Sequence, residues 1–158
     1  MSFAPIGQMH RRPPRLSGFD YLGSYRYFVT CCTEGRCHVF VSRVVVDQMV
    51  VQILRSCQRW DFAVLAYVFM PDHMHLLVQG TTAASDFRAF MKNLRKRTSM
   101  TYKQFATPAL WQDGLFERVL RDDETTLTVI DYLLMNPIRA GLVDQVDKYP
   151  FCWSITLE

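Results

Sequence analysis

The sequence predicts an α+β sandwich, an antiparallel sheet carrying two helices on one face, and three observations predict it. Four short segments are rich in β-branched, aromatic or continuous apolar residues. Two longer segments repeat apolar residues at helical spacing. The order along the chain is β-α-β-β-α-β followed by a further helix, the split β-α-β order of a ferredoxin-like fold. With 158 residues, 49% of them hydrophobic and 21% charged, the chain has the length and composition of one packed domain and not of a disordered polymer. Residues 1–20 read as a basic arm and 21–158 as the single domain.

Taken in order, the arm combines Arg11, Arg12 and Arg15 with Pro13 and Pro14, a composition that builds neither a helix nor a strand interior. It reads either as a solvated tail or as a segment lying along phosphates. Tyr25 to Cys32 is the first strand, ending at a Thr-Glu-Gly-Arg turn. Arg43 to Trp60 is the first helix, with Ser42 as its N-cap. Val46, Met49, Val50, Ile53, Leu54 and Cys57 form its apolar face, opposite Gln52, Arg55 and Arg59. Phe62 to Met70 is a buried strand; Pro71-Asp72 turns the chain, and His73 to Gln79 returns as the partner strand of a hairpin.

Ser85 then caps a second helix running to about Gln104, where Pro108 ends the helical pattern. Its apolar face is Phe87, Phe90, Met91 and Leu94. The other side carries Arg88, Lys92, Arg95, Lys96, Arg97 and Lys103 with Asp86 as the only nearby acid. Such a face is either solvated surface or, since its charge has one sign, a surface for an anionic polymer. Leu115 to Leu120 forms a fourth, outer strand. A third helix starts at Asp122 or Asp123, packs through Leu127, Ile130 and Leu134, and ends near Asn136-Pro137, because proline disfavours helical geometry in the preceding residue. Leu142, Val143, Phe151 and Trp153 pack the tail against the body.

Composition also narrows the setting. A net charge of +3, from 18 Lys plus Arg against 15 Asp plus Glu, says little in total, so the uneven distribution matters more. The five cysteines are odd in number and lack a paired C-x-x-C spacing, which fits reduced thiols in a cytoplasmic protein. No stretch approaches the roughly 18 apolar residues that cross a bilayer, and the first residues lack the apolar core of a signal peptide, so no membrane association is expected.

Successive strand residues face opposite sides of a sheet, so His73 and His75 share one face while Met74, Leu76 and Val78 face the helices. Two imidazoles so placed read either as hydrogen-bonded sheet residues or as two ligands of one metal ion. At about 100° per residue, Asn136 falls roughly 40° around the helix from Tyr132 and one turn along, so hydroxyl and amide project to one side. Each also has a structural reading: Tyr132 as a half-buried amphipathic residue, Asn136 as a helix C-cap. Two histidines, an amide oxygen and a tyrosine together fit metal-assisted phosphoryl transfer, in which an ion polarises a phosphate oxygen and a phenolic oxygen attacks phosphorus.

Two long motifs carry a resemblance. Met70-Pro71-Asp72-His73-Met74-His75-Leu76-Leu77-Val78 resembles the HUH motif (His, bulky apolar, His) of single-tyrosine DNA transposases. Tyr132-Leu133-Leu134-Met135-Asn136-Pro137-Ile138-Arg139-Ala140-Gly141-Leu142-Val143 resembles their tyrosine helix and its exit, in the branch associated with repetitive extragenic palindromes, the IS200-like group. Leu110-Trp111-Gln112 and Val119 to Glu124 add to the likeness, which runs from about Tyr25 to Trp153. It implies that His73 and His75 bind a divalent ion, Mg²⁺ or Mn²⁺, with Asn136 as third ligand and Tyr132 as nucleophile. The expected substrate is single-stranded or hairpin DNA, cut to leave a 5′-phosphotyrosine and a free 3′-hydroxyl, by a monomer or a homodimer.

Two other classes compete. A non-catalytic single-strand-binding module also uses a ferredoxin-like sheet and basic contacts, but needs neither the histidine pair nor Tyr132 with Asn136. A hydrolytic metalloenzyme wants a carboxylate base beside its metal, and Asp72, nearest in sequence, belongs to the turn.

Overall fold

A computed structural model describes residues 16–106, 109–121 and 125–155. The elements are β1 (Arg26–Cys32), α1 (Arg43–Trp60), β2 (Phe62–Met70), β3 (His73–Gly80), α2 (Phe87–Tyr102), β4 (Phe116–Val119), α3 (Thr126–Leu134), α4 (Asn136–Arg139) and β5 (Cys152–Ser154). The strands form one antiparallel sheet in the order β4-β1-β3-β2-β5. The expected ferredoxin-like core is therefore present, extended at one edge by β5, which the sequence reading treated only as packing tail. Three residues with no period to display give strand propensity little to work on, and the pairing of Ala66 with Ser154 and Val68 with Cys152 comes from the tertiary fold.

The sheet separates two apolar cores. On one face α1 and α2 cover Tyr27, Val29, Cys31, Phe69, Met74, Leu76 and Val78, as the alternation on β3 predicts. The face is rich in rings: Tyr27 stacks on Phe87 at 3.9 Å between centroids, and Phe62 on Phe90 at 4.5 Å. On the other face α3 covers Phe28, Leu65, Ala66, Val68, Met70 and Leu77 through Val129, Ile130 and Leu133. Each fully buried aliphatic or aromatic side chain contributes about 1.5–3 kcal/mol relative to exposure.

Several local expectations are corrected. Leu127 is half exposed, so the packing stripe of α3 is Val129, Ile130 and Leu133; the helix is rotated so that Leu127 points to solvent and Leu134 is only partly covered. On α1, Leu54 is exposed and Gln52 buried, because Gln52 Oε1 accepts from Arg97 Nη1 of α2 at 3.3 Å and the helix turns that side inward. Ser42 precedes α1 but its side chain makes no cap bond. The N-cap of α2 is Asp86, whose Oδ1 accepts from Ala89 N at 3.0 Å. Ser85 instead donates to Asp61 O at 2.6 Å and accepts from the Thr81 and Thr82 amides. That latch needs Gly80, where a Cβ would collide with the Gly23 carbonyl oxygen. Leu142 is exposed; Val143 and Phe151 pack, and Trp153, though partly exposed, stacks on Tyr67 of β2 at 6.2 Å between centroids. Thr125 caps α3 by accepting from Thr128 N at 3.2 Å, while Asp122, Asp123 and Pro108 lie outside the described residues.

Candidate active site

The turn between β2 and β3 is clamped from outside. Thr33 N and Oγ1 both donate to Asp72 O at 3.0 Å, and Val39 N and Phe40 N donate to Pro71 O at 2.9 and 3.0 Å. A turn so fixed holds the start of β3 in register: His73 lies between Cys32 and Met70, His75 between Thr30 and Val68. Residues directly opposite share a face, so both imidazoles stand on the side away from α1 and α2. Their ring centroids are 4.8 Å apart and nearly perpendicular. His73 is 8% exposed and His75 fully buried.

Each ring is oriented through Nδ1. Asp72 Oδ1 lies 2.7 Å from His73 Nδ1, and Arg36 Nε donates to Asp72 Oδ2 at 2.9 Å. Burial works against ionisation of Asp72, but the bond from His73 and the Arg36 guanidinium outweigh it and lower its pKa. An ionised carboxylate only accepts, so His73 carries its proton on Nδ1 and offers a lone pair at Nε2. Thr30 Oγ1 is 2.7 Å from His75 Nδ1. His75 Nε2 is buried with no hydrogen-bond partner. An orphaned buried N–H is rarer than an orphaned acceptor, which assigns the His75 proton to Nδ1 and a lone pair to Nε2.

Both imidazoles are held neutral. Complete burial pushes the His75 pKa well below its ordinary value, and the neighbouring His73, Arg139 and Arg36 push the same way; the Asn136 side chain opposes them. Asn136 comes close enough to act on His75 without closing a well-formed bond, hence the vacant Nε2. Burial likewise lowers His73, with Asp72 offsetting part of the effect. Neutral imidazole is the metal-binding form.

Asn136 owes its orientation to Pro137. An α-helix running on would donate the residue-137 amide to Leu133 O, and proline has none. Asn136 Nδ2 takes that role, donating to Leu133 O at 2.9 Å and more distantly to Tyr132 O at 3.4 Å. With the amide nitrogen spent on the helix, the amide oxygen is left for the His75 side. α3 ends at Leu134, near Asn136-Pro137 as expected, but its C-cap is Met135; Asn136 opens α4 with Pro137 in its first turn, where a missing N–H costs nothing.

Tyr132 is half-buried on the same face. Its ring meets Phe28 edge-on at 6.3 Å, and the other side of the contact is His75, whose ring lies 5.4 Å from Phe28. One aromatic ring thus links the tyrosine to the imidazoles within a single chain. Arg139 completes the group: its guanidinium carbon sits 4.3 Å from the Tyr132 ring centroid, and Nη2 donates to Tyr132 O at 2.7 Å.

The basic residues are distributed differently from the sequence reading. Because α2 lies on the far face of the sheet, none of its cations stands beside the histidines. Arg88 covers the Tyr21 ring at 4.8 Å, Arg95 donates to Gln112 O at 2.6 Å and Arg97 reaches Gln52, so these three serve packing contacts. Lys92, Lys96 and Lys103 are exposed. Arg11, Arg12 and Arg15 lie outside the described residues. Among the described residues the cations on the histidine face include Arg36, Arg139, Arg118, directly opposite Phe28 on β4, and Arg26, which donates to Thr126 Oγ1 of α3 at 2.9 Å. Sequence reading missed these, with Phe28 and Thr30. Phe28 and Thr30 needed the β1–β3 register; Arg139 was within reach as the helical i+7 neighbour of Tyr132.

Among the described residues no cluster of three His, Cys, Asp or Glu side chains forms a metal site. The donors on offer are two neutral imidazoles and one amide oxygen, with a buried vacant Nε2 between well-anchored neighbours. That set fits one divalent ion whose remaining positions go to phosphate oxygens and water.

The family described as "Transposase IS200 like" matches residues 22–134, which spans the histidine strand and reaches Tyr132. A Haemophilus influenzae protein whose name places it among REP-associated tyrosine transposases is 23% identical over 143 residues, covering 84% of this chain and 81% of the relative. An Escherichia coli REP-associated tyrosine transposase is 27% identical over 90 residues, 57% of this chain and 53% of that one. The solved structure of a REP-associated tyrosine transposase bound to a REP hairpin superposes with a TM-score of 0.73 at 20% identity, covering 89% of this chain and 82% of that one, and shares the fold. No helix among the described residues is long and apolar enough to cross a membrane. The chain belongs to the IS200-like transposase family, and its enzymatic class is transposase.

Proposed function

We propose that the chain is a divalent-metal-dependent transposase of single-stranded, hairpin-forming DNA, which cuts and rejoins its substrate through a 5′-phosphotyrosine on Tyr132. The observation that carries the reading is the buried, partnerless Nε2 of His75 on the face that also holds Tyr132. His73, His75 and the amide oxygen of Asn136 would hold Mg²⁺ or Mn²⁺, which when bound supplies Lewis-acid polarisation of a non-bridging phosphate oxygen. Asp72 and Thr30 keep both imidazoles turned with Nε2 towards that position. Tyr132 Oη attacks phosphorus as the bond to the 3′-oxygen breaks, the phenolic proton passing to solvent and the 3′-oxygen taking one from it. Strand transfer is the reverse step with a different 3′-hydroxyl.

A hairpin-bound relative of the same fold supports the choice of substrate. On this reading Lys92, Lys96 and Lys103, with Arg88, Arg95 and Arg97 behind them and the arm residues Arg11, Arg12 and Arg15, contact phosphates remote from the cut. The five cysteines are all free thiols, which suits a reducing cytoplasm where the DNA is. Tyr132 and the imidazoles meet across Phe28 in one chain, so the reading assigns catalysis in cis to a monomer. A mixture of the Tyr132→Phe and His75→Ala proteins then stays inactive; restored cleavage in the mixture would instead show a homodimer with shared sites.

The test uses a 3′-labelled hairpin oligonucleotide with Mg²⁺ or Mn²⁺. The wild-type chain becomes labelled in a denaturant-resistant band and Tyr132→Phe does not. Absence of the band in wild type, with binding retained, would sink the reading and leave a binding module.

A further inference from the structure

Arg139 is bound to the nucleophile twice over and has no part in the scheme above. We infer that Arg139 is a catalytic residue that grips the scissile phosphate as it passes from the 3′-oxygen to Tyr132. The inference rests on the phosphotyrosine reading and adds to it the group that meets the charge of the phosphate on the tyrosine side.

Three observations point there. First, the guanidinium is placed by Tyr132 itself: it lies over the ring at 4.3 Å, and Nη2 donates to the Tyr132 carbonyl at 2.7 Å. Helical spacing produces this, since position 139 falls two turns after position 132 on nearly the same side. Second, the Tyr132 ring that it covers meets Phe28 at 6.3 Å, and Phe28 meets the His75 ring at 5.4 Å, so Arg139 belongs to the histidine face and not to a remote surface. Third, among the described residues no carboxylate pairs with it. Arg36, by contrast, is committed to Asp72 at 2.9 Å. A guanidinium with no carboxylate partner among the described residues is available to an incoming phosphodiester.

The chemistry matches. Guanidinium carries five N–H donors in a planar fork, and the Tyr132 carbonyl occupies one nitrogen. Arg139 is exposed on its outer side, so the rest of the fork faces the approach of the substrate. As the Tyr132 Oη–P bond forms and the P–O3′ bond breaks, negative charge concentrates on the two non-bridging oxygens. An ion held by His73, His75 and Asn136 would meet one, and Arg139 meets the other. Such preorganised donors act on the charge that develops in the transition state.

The competing role is structural: Arg139 as a strap across the junction of α3 and α4. The two roles separate on the charge of the substrate. Single-turnover adduct formation is measured for wild type, Arg139→Gln and Arg139→Lys, on a hairpin with an ordinary phosphodiester at the cleavage position and on one with a neutral methylphosphonate there. On the phosphodiester, Arg139→Gln slows adduct formation about 10²–10³-fold and Arg139→Lys less. On the methylphosphonate the difference between wild type and Arg139→Gln shrinks towards one, because the charge that Arg139 meets is absent. An Arg139→Gln rate equal to wild type, or an equal loss on both substrates, overturns the inference. If Arg139→Gln fails to fold, Arg139→Lys carries the same comparison, and a loss that persists undiminished on methylphosphonate overturns it. The wild-type adduct on the phosphodiester is the separate test of the phosphotyrosine reading.

Discussion

The two faces of the sheet are built to opposite rules. Towards α1 and α2, Tyr27, Phe69, Met74, Leu76 and Phe87 are fully or almost fully buried, and rings fill the space between strand and helix. Towards α3 the same strands bury His73, His75, Thr30 and Asn136 together, and one of those groups ends in a nitrogen without a partner. A desolvated polar atom with no bond costs about 1–3 kcal/mol. The first face is mainly aromatic and aliphatic packing, with Tyr27 Oη and Trp60 Nε1 also buried there without partners, while the second gathers its buried polar groups in one place. Adjacent residues of one strand, Met74 and His75 or His75 and Leu76, belong to different regimes because the pleat alternates.

The largest effect that probes this division is at the nucleophile. Tyr132→Phe is expected to lower DNA cleavage by on the order of 10⁴-fold or more with thermal stability little changed, as measured by single-turnover cleavage and a melting curve. Next come neighbours on β3. Leu76→Ala loses about 2–5 kcal/mol in urea unfolding through the cavity it leaves. His75→Ala loses the stabilisation that Mn²⁺ gives wild type in a thermal shift, while Leu76→Ala keeps it. A Mn²⁺ shift retained by His75→Ala would erase the distinction between the faces.

A smaller effect belongs to the support of the site. Asp72→Asn keeps the shape but weakens the hold on His73 Nδ1 and on Arg36, so Mn²⁺ affinity falls about 10–100-fold by calorimetric titration. Unchanged affinity would mean that the pairing of Asp72 with His73 only finishes the turn. The smallest effect is on the helix face. Replacing Lys92 and Lys96 with Gln flattens the salt dependence of hairpin binding by about one to two logarithmic units and leaves the cleavage rate at saturation unchanged. A large fall in that rate would bring α2 to the reaction, contrary to its place behind the sheet.

How much of this was legible in the sequence depends on which physical signal each residue gives. α1 and β2 were bounded to the residue, since continuous patterning and the Pro71-Asp72 break are local. His73 and His75 on the face away from the helices followed from the period of two alone. The rotation of α3 did not follow: Leu127, Ile130 and Leu134 satisfy helical spacing as well as Val129, Ile130 and Leu133 do, and only docking on Leu77 and Val68 decides between them. The short β5 and the companions Phe28 and Thr30 depend on pairing across distant segments, which no local pattern encodes. One-signed charge at Lys92, Lys96 and Lys103 is visible in the sequence and these residues are exposed, but their distance from the histidines is a property of the sheet between them.

The proposed function requires Tyr132 and the histidine face to act as one site. Peptide mapping by mass spectrometry of the complex trapped with a hairpin oligonucleotide, with Mn²⁺ and with a chelator in parallel, reads that directly. The predicted result is a nucleotide-bearing peptide modified at Tyr132 with Mn²⁺ and no modified peptide with the chelator. Modification at another tyrosine, Tyr102 among them, or equal modification of Tyr132 without the ion, would contradict it.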